Sequence, residues 1–468
     1  MAGHPAGKWA IVIVVDAALQ EREREGRPVR VGLVGAGYAG KGLACQITGS
    51  TPGMEVSVIA NRTLDHARAA YAAAGIDDPV VVETAAELSA ALSAGRPAIC
   101  EDPALVTEAE PIECVVEATG DVEWGARVSL SAIDHGKHLV LLNAELDCTL
   151  GPLLKQRADR AGVVFTDSDG DQPGVLLNLA REAQMLGFAP IVYGNIKSLL
   201  DYRRTPDTQA AFAANVKQNP WPITSFADGT KIAAEMAVVA NGTGFGVSRR
   251  GMEGPQTDRV EKAFELFPVE ELHAAGTGIV DYILGAEPSF GVFVLAYSDS
   301  AFHQEYMKCY KMGEGPVYTF YRPYHLSPLE TPLTVARAVL FGDATVAPIG
   351  APVCEVVSMA KFDLAGIDAQ FHAAARGRAR ILVADPAAAA PPARTARSAS
   401  RPEERSARPT ASPARRRRPR RRWPCSAPCS SSKGHPGSGS PVSIPGCCSA
   451  GCWGRSSSPS AVGPSAGS

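Results

Sequence analysis

Two lysines in the middle of the chain, Lys197 and Lys231, are the leading candidates for acid–base chemistry. Each lies in a stretch where Gly, Asn, Thr and charged residues alternate with apolar ones, as in GNIKSLLDY and SFADGTKIAAE. Solvated surfaces are usually rich in Lys and Glu, so this pattern favours the lining of a binding pocket. Burial lowers the pKa of a lysine and lets it exchange a proton near neutral pH. A surface or ion-paired lysine is the alternative for each.

Carboxylates and other polar residues accompany these lysines. The segment DSDGDQPG places Asp169 and Asp171 at a predicted strand end, where they suit a divalent cation, substrate hydroxyls or the cap of the next helix. Arg203, Arg204 and Lys231 suit an anionic group. The predicted catalytic residues are Lys197, Lys231, Asp169 and Glu145. The predicted substrate-binding residues are Asp171, Asn195, Asp201, Arg203, Arg204 and Glu235, and the predicted metal ligands are Asp169 and Asp171.

A glycine-rich turn indicates the scaffold that positions these residues. A short apolar run leads into Gly35-Ala36-Gly37-Tyr38-Ala39-Gly40, and a helical pattern follows. In a dinucleotide-binding βαβ unit the first glycine allows a sharp turn, the second lets a pyrophosphate approach the backbone, and the third lets the helix pack on the sheet. We therefore predict that these six residues bind a dinucleotide. A purely structural glycine turn is the alternative.

The ends of the next strands indicate the cofactor. An NAD-selective fold usually places Asp or Glu after the second strand, but Asn61, Arg62 and Thr63 stand there. These side chains suit a 2′-phosphate, which favours NADP; the alternative is that Arg62 is solvated and the ribose is held elsewhere. The candidates for the nicotinamide half lie at two later strand ends: Ala118, Thr119, Gly120 and Asn143. Capping of the next helix is the alternative for Asn143 and Glu145.

The alternation of strand and helix patterns up to residue 165 predicts a mostly parallel Rossmann-type sheet. Strand patterns near residues 190–194, 292–297 and 317–321 predict a second, α+β catalytic domain. We predict an α/β protein with three parts. They are an NADP-binding domain with an N-terminal helix (1–165), a catalytic and dimerisation domain (166–365), and a disordered, low-complexity basic tail (366–468).

Charge and cysteine content divide the chain in the same way. Residues 1–370 carry 29 Lys+Arg against 46 Asp+Glu, whereas residues 371–468 carry 17 against 3. The body therefore resembles an acidic soluble protein, and its six scattered cysteines predict free thiols in a reducing compartment. The tail is rich in Ala, Pro, Arg and Ser and cannot bury enough apolar surface to fold. It is either a tail that binds an anionic partner or a translation of the wrong reading frame.

Taken together, these segments resemble the homoserine-dehydrogenase-related oxidoreductases, and more closely their deoxyxylulose-phosphate reductoisomerase-like branch. The resemblance covers roughly residues 16–365. It is carried by VGLVGAGYAGKG, ANRT, EATG, LLNAELD, DSDGDQPG, GNIKSLLDYRRTPDTQ, SFADGTKIAAE, RRGMEGP and YRPYHLSPLETPLTVARAVLFGDA. Members usually continue into a small β-rich module of the SAF type, which the tail does not match. Homoserine dehydrogenases also carry a catalytic lysine where this chain has Ala144 and Glu145.

The resemblance implies an NADPH-dependent reductoisomerase-like enzyme that acts on a small sugar phosphate or a related hydroxy-carbonyl compound. A divalent cation bridging vicinal oxygens would assist such a rearrangement, and Asp169 and Asp171 are its candidate ligands. The alternatives are a homoserine-dehydrogenase-like or sugar-acid dehydrogenase, and a non-catalytic protein that senses the dinucleotide. The apolar run from Trp9 to Val15 is too short to span a membrane. We expect a cytoplasmic homodimer with a small-molecule substrate and no nucleic-acid partner.

Overall fold

The first sheet contains seven parallel strands, as the alternating pattern predicts. The computed structural model describes residues 14–356 and 383–384. The strand order is β3-β4-β2-β1-β5-β6-β7. The strands are β1 Val29–Val34, β2 Met54–Ala60, β3 Val80–Val81, β4 Ala98–Cys100, β5 Cys114–Glu117, β6 His138–Leu141 and β7 Phe165–Asp167. This order and direction confirm the Rossmann-type prediction.

Helices cover both faces of this sheet and bury its mainly aliphatic strands. They are α1 Val14–Arg24, α2 Tyr38–Ser50, α3 Leu64–Ala73, α4 Ala85–Ser93, α5 Pro103–Glu108, α6 Val122–Asp134 and α7 Ala144–Ala161. Several begin at a side chain that satisfies an unpaired backbone amide of the first turn. Asp121, for example, accepts a hydrogen bond from the backbone N–H of Trp124 at 2.8 Å. Strand ends and helix starts therefore meet at one edge of the sheet.

The second sheet has four strands in the order β11-β10-β8-β9. They are β8 Ala189–Lys197, β9 Ile279–Leu284, β10 Gly291–Tyr297 and β11 Val317–Arg322. β8 pairs in parallel with β9, and the other pairs are antiparallel. The helices that accompany them are α8 Gln172–Met185, α9 Pro206–Asn215, α10 Pro220–Ala227, α11 Thr230–Thr243, a 3-10 helix Val260–Glu265, α12 Val269–Ala274 and α13 Ala301–Cys309. The predicted second α+β unit is confirmed.

The last long helix, α14 (Thr331–Phe341), returns to the first sheet. Its residues Val335 and Ala336 are buried in the same apolar cluster as β1 and α2. A side chain added at Gly42, in α2, would meet Pro328 of the loop before α14 at 2.9 Å. The segment 323–330 therefore contacts the helix that follows the glycine turn.

Several boundaries differ from the sequence prediction. Helix α7 begins at residue 144 rather than 150, because Asn143 caps it and its Pro152 does not stop it. Strand β8 continues to residue 197 rather than 194. Residues 230–243, part of the stretch that the sequence pattern predicted as pocket lining, form the largely buried helix α11. The short β4, α5 and α9 were not predicted, because short segments carry too few residues to show a period.

Some predictions lie outside the described residues. They are the start of the N-terminal helix before residue 14, the continuation of a last strand to Lys361, the basic tail 366–468 and any SAF-type module. A two-stranded pair, β12 Glu355–Val356 with β13 Val383–Ala384, closes the described chain. Within residues 14–356 and 383–384, no helix is both long and apolar enough to cross a membrane.

Candidate active site

The glycine turn has the geometry that a dinucleotide requires. Gly35 has a φ of +104°, and a side chain there would meet the carbonyl oxygen of Ala118 at 2.6 Å. A side chain at Gly40 would lie 2.0 Å from the carbonyl oxygen of Gly35. At Gly37, by contrast, an added Cβ would meet no protein atom within 4 Å. Gly35 and Gly40 are needed for packing, and Gly37 leaves open space before the N-terminus of α2, where Tyr38 and Ala39 begin the helix.

The three residues after β2 have different roles. Asn61 Oδ1 accepts a hydrogen bond from the backbone N–H of Ala36 at 3.0 Å, and its Nδ2 donates to the carbonyl oxygen of Thr63 at 2.8 Å. Both ends of this amide are therefore used to hold the turn. Arg62 and Thr63 are exposed beside it. Of the predicted phosphate-binding residues, the structure leaves Arg62 and Thr63 available and uses Asn61 for the scaffold.

The ends of β5 and β6 are joined through a buried carboxylate. Glu117 accepts hydrogen bonds from the backbone N–H of Thr119 at 2.8 Å and from Asn143 Nδ2 at 2.9 Å. Burial raises the pKa of Glu117, although these hydrogen bonds oppose the shift. Gly120 follows with a φ of +68° and is exposed. Asn143 also caps α7 by accepting from the backbone N–H of Leu146 at 3.2 Å, so the capping alternative holds for Asn143.

Lys231 lies at the centre of three carboxylates from three helices. Its Nζ is 3.6 Å from Asp171 Oδ2, 3.8 Å from Glu235 Oε1 and 3.9 Å from Glu145 Oε2. Asp171 occupies the N-cap position of α8, Glu235 lies one turn after Lys231 on α11, and Glu145 is in the first turn of α7. The side chain of Lys231 is 14% exposed, so the cluster reaches the surface. We call these four residues the Lys231 cluster.

The pKa values of Lys231 and Lys197 are shifted in opposite directions. Burial alone would lower the pKa of Lys231, but Asp171, Glu145 and Glu235 together raise it well above its usual range. The prediction that burial lowers this pKa is therefore wrong for Lys231, because the carboxylates outweigh desolvation. For Lys197 burial dominates and its pKa is lowered. Lys197 is half-buried on β8, two residues after Asn195 and on the same face of the strand.

Glu235 links these groups. Asn195 Nδ2 donates to Glu235 Oε2 at 3.4 Å, a long contact. Burial raises the pKa of Glu235 to about 7, against the opposing influence of Lys231 and Lys197. The structure therefore brings together six of the predicted residues. They are Glu145, Asp171, Asn195, Lys197, Lys231 and Glu235.

Asp169 belongs to a different network, although it lies only two residues from Asp171. Its Oδ2 accepts from the hydroxyls of Thr345 at 2.9 Å and Thr334 at 3.2 Å and faces Arg337 Nη1 at 3.6 Å. Its Oδ1 accepts a hydrogen bond from Asn178. Burial raises the pKa of Asp169, and Arg337 opposes the shift. Asp169 thus ties the end of β7 to α14, and the structure does not bring it into the Lys231 cluster.

This network bears on the predicted cation. Both oxygens of Asp169 already accept from protein donors, and the oxygen of Asp171 faces an ammonium. These residues do not fit a bridging divalent ion, which needs free carboxylate oxygens. Within the described chain no group of three or more His, Cys, Asp and Glu side chains has a metal-binding arrangement.

The predicted arginines lie in a separate loop. Asp201 Oδ1 accepts from the backbone N–H of Arg203 at 3.0 Å, and its Oδ2 pairs with Arg204 Nε at 3.1 Å. Arg203 is exposed. In the described structure none of the three contacts the Lys231 cluster by an ion pair or a hydrogen bond. Asp201 therefore orders its own loop.

Sequence reasoning missed three titratable groups at this site. His325 places its Nδ1 3.2 Å from the carbonyl oxygen of Gly170, and its ring stacks on Phe290 with the ring centroids 4.4 Å apart. Burial lowers its pKa, and Asp171 opposes the shift. Asp147 and Asp167 are fully buried, and Asp167 interacts electrostatically with both Asp147 and Lys231. Burial raises the pKa of Asp147 to about 7 and that of Asp167 well above its usual range. The alternating pattern of Asp167, Asp169 and Asp171 was the available signal for Asp167.

A groove of about 1040 Å³ lies elsewhere, between α7 and residues 347–354. Its lining includes Thr149, Lys155 and Asp159 but none of the Lys231 cluster. Volume alone does not identify a site, and the groove lacks converging titratable groups. We therefore locate the candidate active site at the Lys231 cluster.

Comparison with known proteins agrees with this assignment. Residues 170–331 match the family model described as the catalytic domain of oxidoreductase DRL. The matched segment contains Asp171, Lys197, Lys231, Glu235 and His325. The chain is an oxidoreductase enzyme, which confirms the predicted class. No curated protein matches the chain.

Solved structures with a similar fold include two dehydrogenases. A probable dehydrogenase from Thermotoga maritima is 13% identical, with a TM-score of 0.40 over 69% of this chain and 91% of that one. A homoserine dehydrogenase from Thiobacillus denitrificans is 18% identical, with a TM-score of 0.38 over 66% of this chain and 73% of that one.

Proposed function

We propose that this oxidoreductase uses NADP and acts, in the manner of a reductoisomerase, on a small hydroxy-carbonyl compound. The observation that carries the proposal is the position of Glu235, which lies 3.8 Å from Lys231 Nζ and accepts from Asn195, two residues before Lys197. These surroundings shift the pKa values of the two lysines in opposite directions. One lysine stays charged and the other exchanges a proton more readily, which is the division of roles that carbonyl reduction requires.

The cofactor site is supported by the open space at Gly37. The backbone amides at the start of α2 would hold the pyrophosphate, and Arg62 with Thr63 would hold the 2′-phosphate. Ala118, Thr119 and Gly120 would lie beside the nicotinamide half. Contacts connect this region to the substrate residues, because Thr119 bonds Glu117, Glu117 bonds Asn143, and Asn143 starts the helix that carries Glu145.

The chemistry assigns a role to each titratable group. Bound NADPH supplies the hydride. Lys231 remains protonated and stabilises negative charge that develops on the substrate oxygen. Lys197, whose pKa is lowered by burial, exchanges a proton with a substrate hydroxyl. Glu235, with a pKa of about 7, can in its protonated form supply the proton that the reduced oxygen needs.

The test is a screen with NADPH and NADH against ketoses, ketose phosphates, polyols and hydroxy acids, each with the wild-type protein and Lys231→Ala. We expect NADPH oxidation with at least one hydroxy-carbonyl compound. Lys231→Ala should keep NADPH affinity and lose turnover. Lys262→Ala, which removes a surface lysine paired with Asp258, is the matched control. Full activity of Lys231→Ala would remove Lys231 from the mechanism, and turnover of hydroxy acids alone would favour the sugar-acid dehydrogenase alternative.

A further inference from the structure

The ammonium of Lys231 is surrounded by carboxylates but hydrogen-bonded to none of them. Its three shortest distances to carboxylate oxygens are 3.6, 3.8 and 3.9 Å. An N–H donor and a carboxylate oxygen in a hydrogen bond lie about 2.7–3.2 Å apart. In the described part of the chain, Lys231 Nζ also makes no other hydrogen bond. The N–H donors of the ammonium are therefore available to a ligand, and carboxylate oxygens lie 3.6 to 3.9 Å from the nitrogen.

This arrangement selects the group that can enter the cluster. A hydroxyl can accept from the ammonium and donate to a neighbouring carboxylate at the same time. An ionised phosphate or carboxylate accepts only, and it would lie within a few ångströms of Asp171, Glu235 and Glu145. A second ammonium would be repelled by Lys231. A neutral hydroxyl therefore satisfies both kinds of neighbour, and a carbonyl oxygen beside it can accept from the ammonium without bringing a negative charge.

Other cationic side chains do not offset the negative charge of the three carboxylates around Lys231. Arg204 is already paired with Asp201, and Arg337 with Asp343 and Asp169. Lys197 is subject to the desolvation that favours its neutral form. The suitability of Lys231 for an anionic group, suggested by its sequence, is therefore not supported by its surroundings.

We propose that the Lys231 cluster binds neighbouring hydroxyl and carbonyl oxygens of an uncharged polyhydroxy ketone, and that it excludes a phosphate or carboxylate from the reacting end of the substrate. The inference rests on the proposed function, since it concerns the substrate class of the same site. It divides the hydroxy-carbonyl compounds into those with an uncharged reacting end, which fit, and those with an anionic one, which do not.

The test compares D-xylulose with D-xylulose 1-phosphate, a pair that differs by one phosphate on the carbon next to the carbonyl. Dissociation constants are measured by calorimetry on the full chain saturated with NADP⁺, for the wild type, Asp171→Asn and Glu235→Gln. We expect the wild type to bind xylulose more tightly than its phosphate. Each variant removes one negative charge with little change in shape, and it should shift the ratio towards the phosphate by about tenfold. Glu270→Gln, at an exposed position of α12, should leave the ratio unchanged.

Tighter binding of the phosphate by the wild type overturns the inference, as does a ratio that neither substitution moves. Binding of neither sugar also overturns it. Failure of the proposed function looks different, because it appears as a protein that oxidises NADPH with no compound of the screen, whatever the two dissociation constants are.

Discussion

Asn143 Nδ2 lies 2.9 Å from Oε2 of Glu117, and this hydrogen bond joins the carboxyl ends of the neighbouring strands β5 and β6. Both side chains are buried. Asn143 Oδ1 meanwhile accepts from the first turn of α7. One side chain thus sets the distance between the predicted nicotinamide region and the helix that carries Glu145.

Substitution of Asn143 by alanine should therefore lower the free energy of unfolding by more than the loss of a helix cap alone. We expect Asn143→Ala to lower the free energy of unfolding by about 2–3 kcal/mol, because it removes a cap and leaves Glu117 short of a donor. Urea denaturation followed by circular dichroism measures this. Thr84→Ala removes the exposed cap of α4 and should cost only about 1 kcal/mol. Equal losses in the two variants would contradict the bridging role of Asn143.

Gly40 cannot carry a side chain without moving the glycine turn, because a Cβ would lie 2.0 Å from the carbonyl oxygen of Gly35. We expect Gly40→Ala to weaken NADPH binding by at least about tenfold, measured by fluorescence titration. Gly49→Ala is the matched control in the same helix, since a Cβ there meets nothing within 4 Å. It should keep NADPH affinity and stabilise α2 slightly. Unchanged affinity in Gly40→Ala would contradict pyrophosphate binding at this turn.

Arg62 is exposed directly after β2, next to the amide that holds the glycine turn. If it binds the 2′-phosphate of NADP, Arg62→Ala should weaken NADPH binding by about tenfold and leave NADH binding nearly unchanged. Titrations with both nucleotides give the ratio. Arg160→Ala, at an exposed site in the last turn of α7, should change neither. An equal loss of affinity for NADPH and NADH would show that Arg62 does not bind the 2′-phosphate.

Asp147 makes stability depend on pH in a direction unusual for a carboxyl group. Its carboxyl oxygens have no hydrogen-bond partner among the described residues, and burial raises its pKa from 3.8 to about 7. Between pH 3.8 and about 7 the folded state keeps this proton, whereas the unfolded state has released it. The stability that the neutral carboxyl group contributes is therefore fully present below pH 3.8 and is lost as the pH rises to about 7. The loss is on the order of 4 kcal/mol.

Asp147→Asn should remove this dependence. We expect the variant to gain stability relative to the wild type as the pH rises from 4 to 7, measured by urea denaturation at intervals across that range. Asp77→Asn, at an exposed position, should follow the wild type throughout. A constant difference between Asp147→Asn and the wild type would show that this carboxyl group titrates normally in the folded protein.

The parts of the fold that follow from local pattern were readable from the chain alone. The glycine turn and the parallel strands up to Asp167 rest on spacing and apolar runs, which neighbouring residues determine. The oxidoreductase class rests on the resemblance that the quoted segments carry. The sequence also pointed to Lys197, Lys231, Glu145 and Glu235. Their side-chain types and polar context mark them without reference to the rest of the molecule.

Only the tertiary structure decided which of the predicted residues belong to the same network. Asp169 and Asp171 are two positions apart, yet Asp169 pairs with Arg337 on the returning helix α14 and Asp171 with Lys231 on α11. His325 reaches Gly170 across 155 positions of sequence. The shift in the pKa of Lys231 depends on carboxylates from three helices, so burial alone predicts its wrong sign. Electrostatic effects depend on distances in space, and sequence spacing determines those distances only within a single helix or strand.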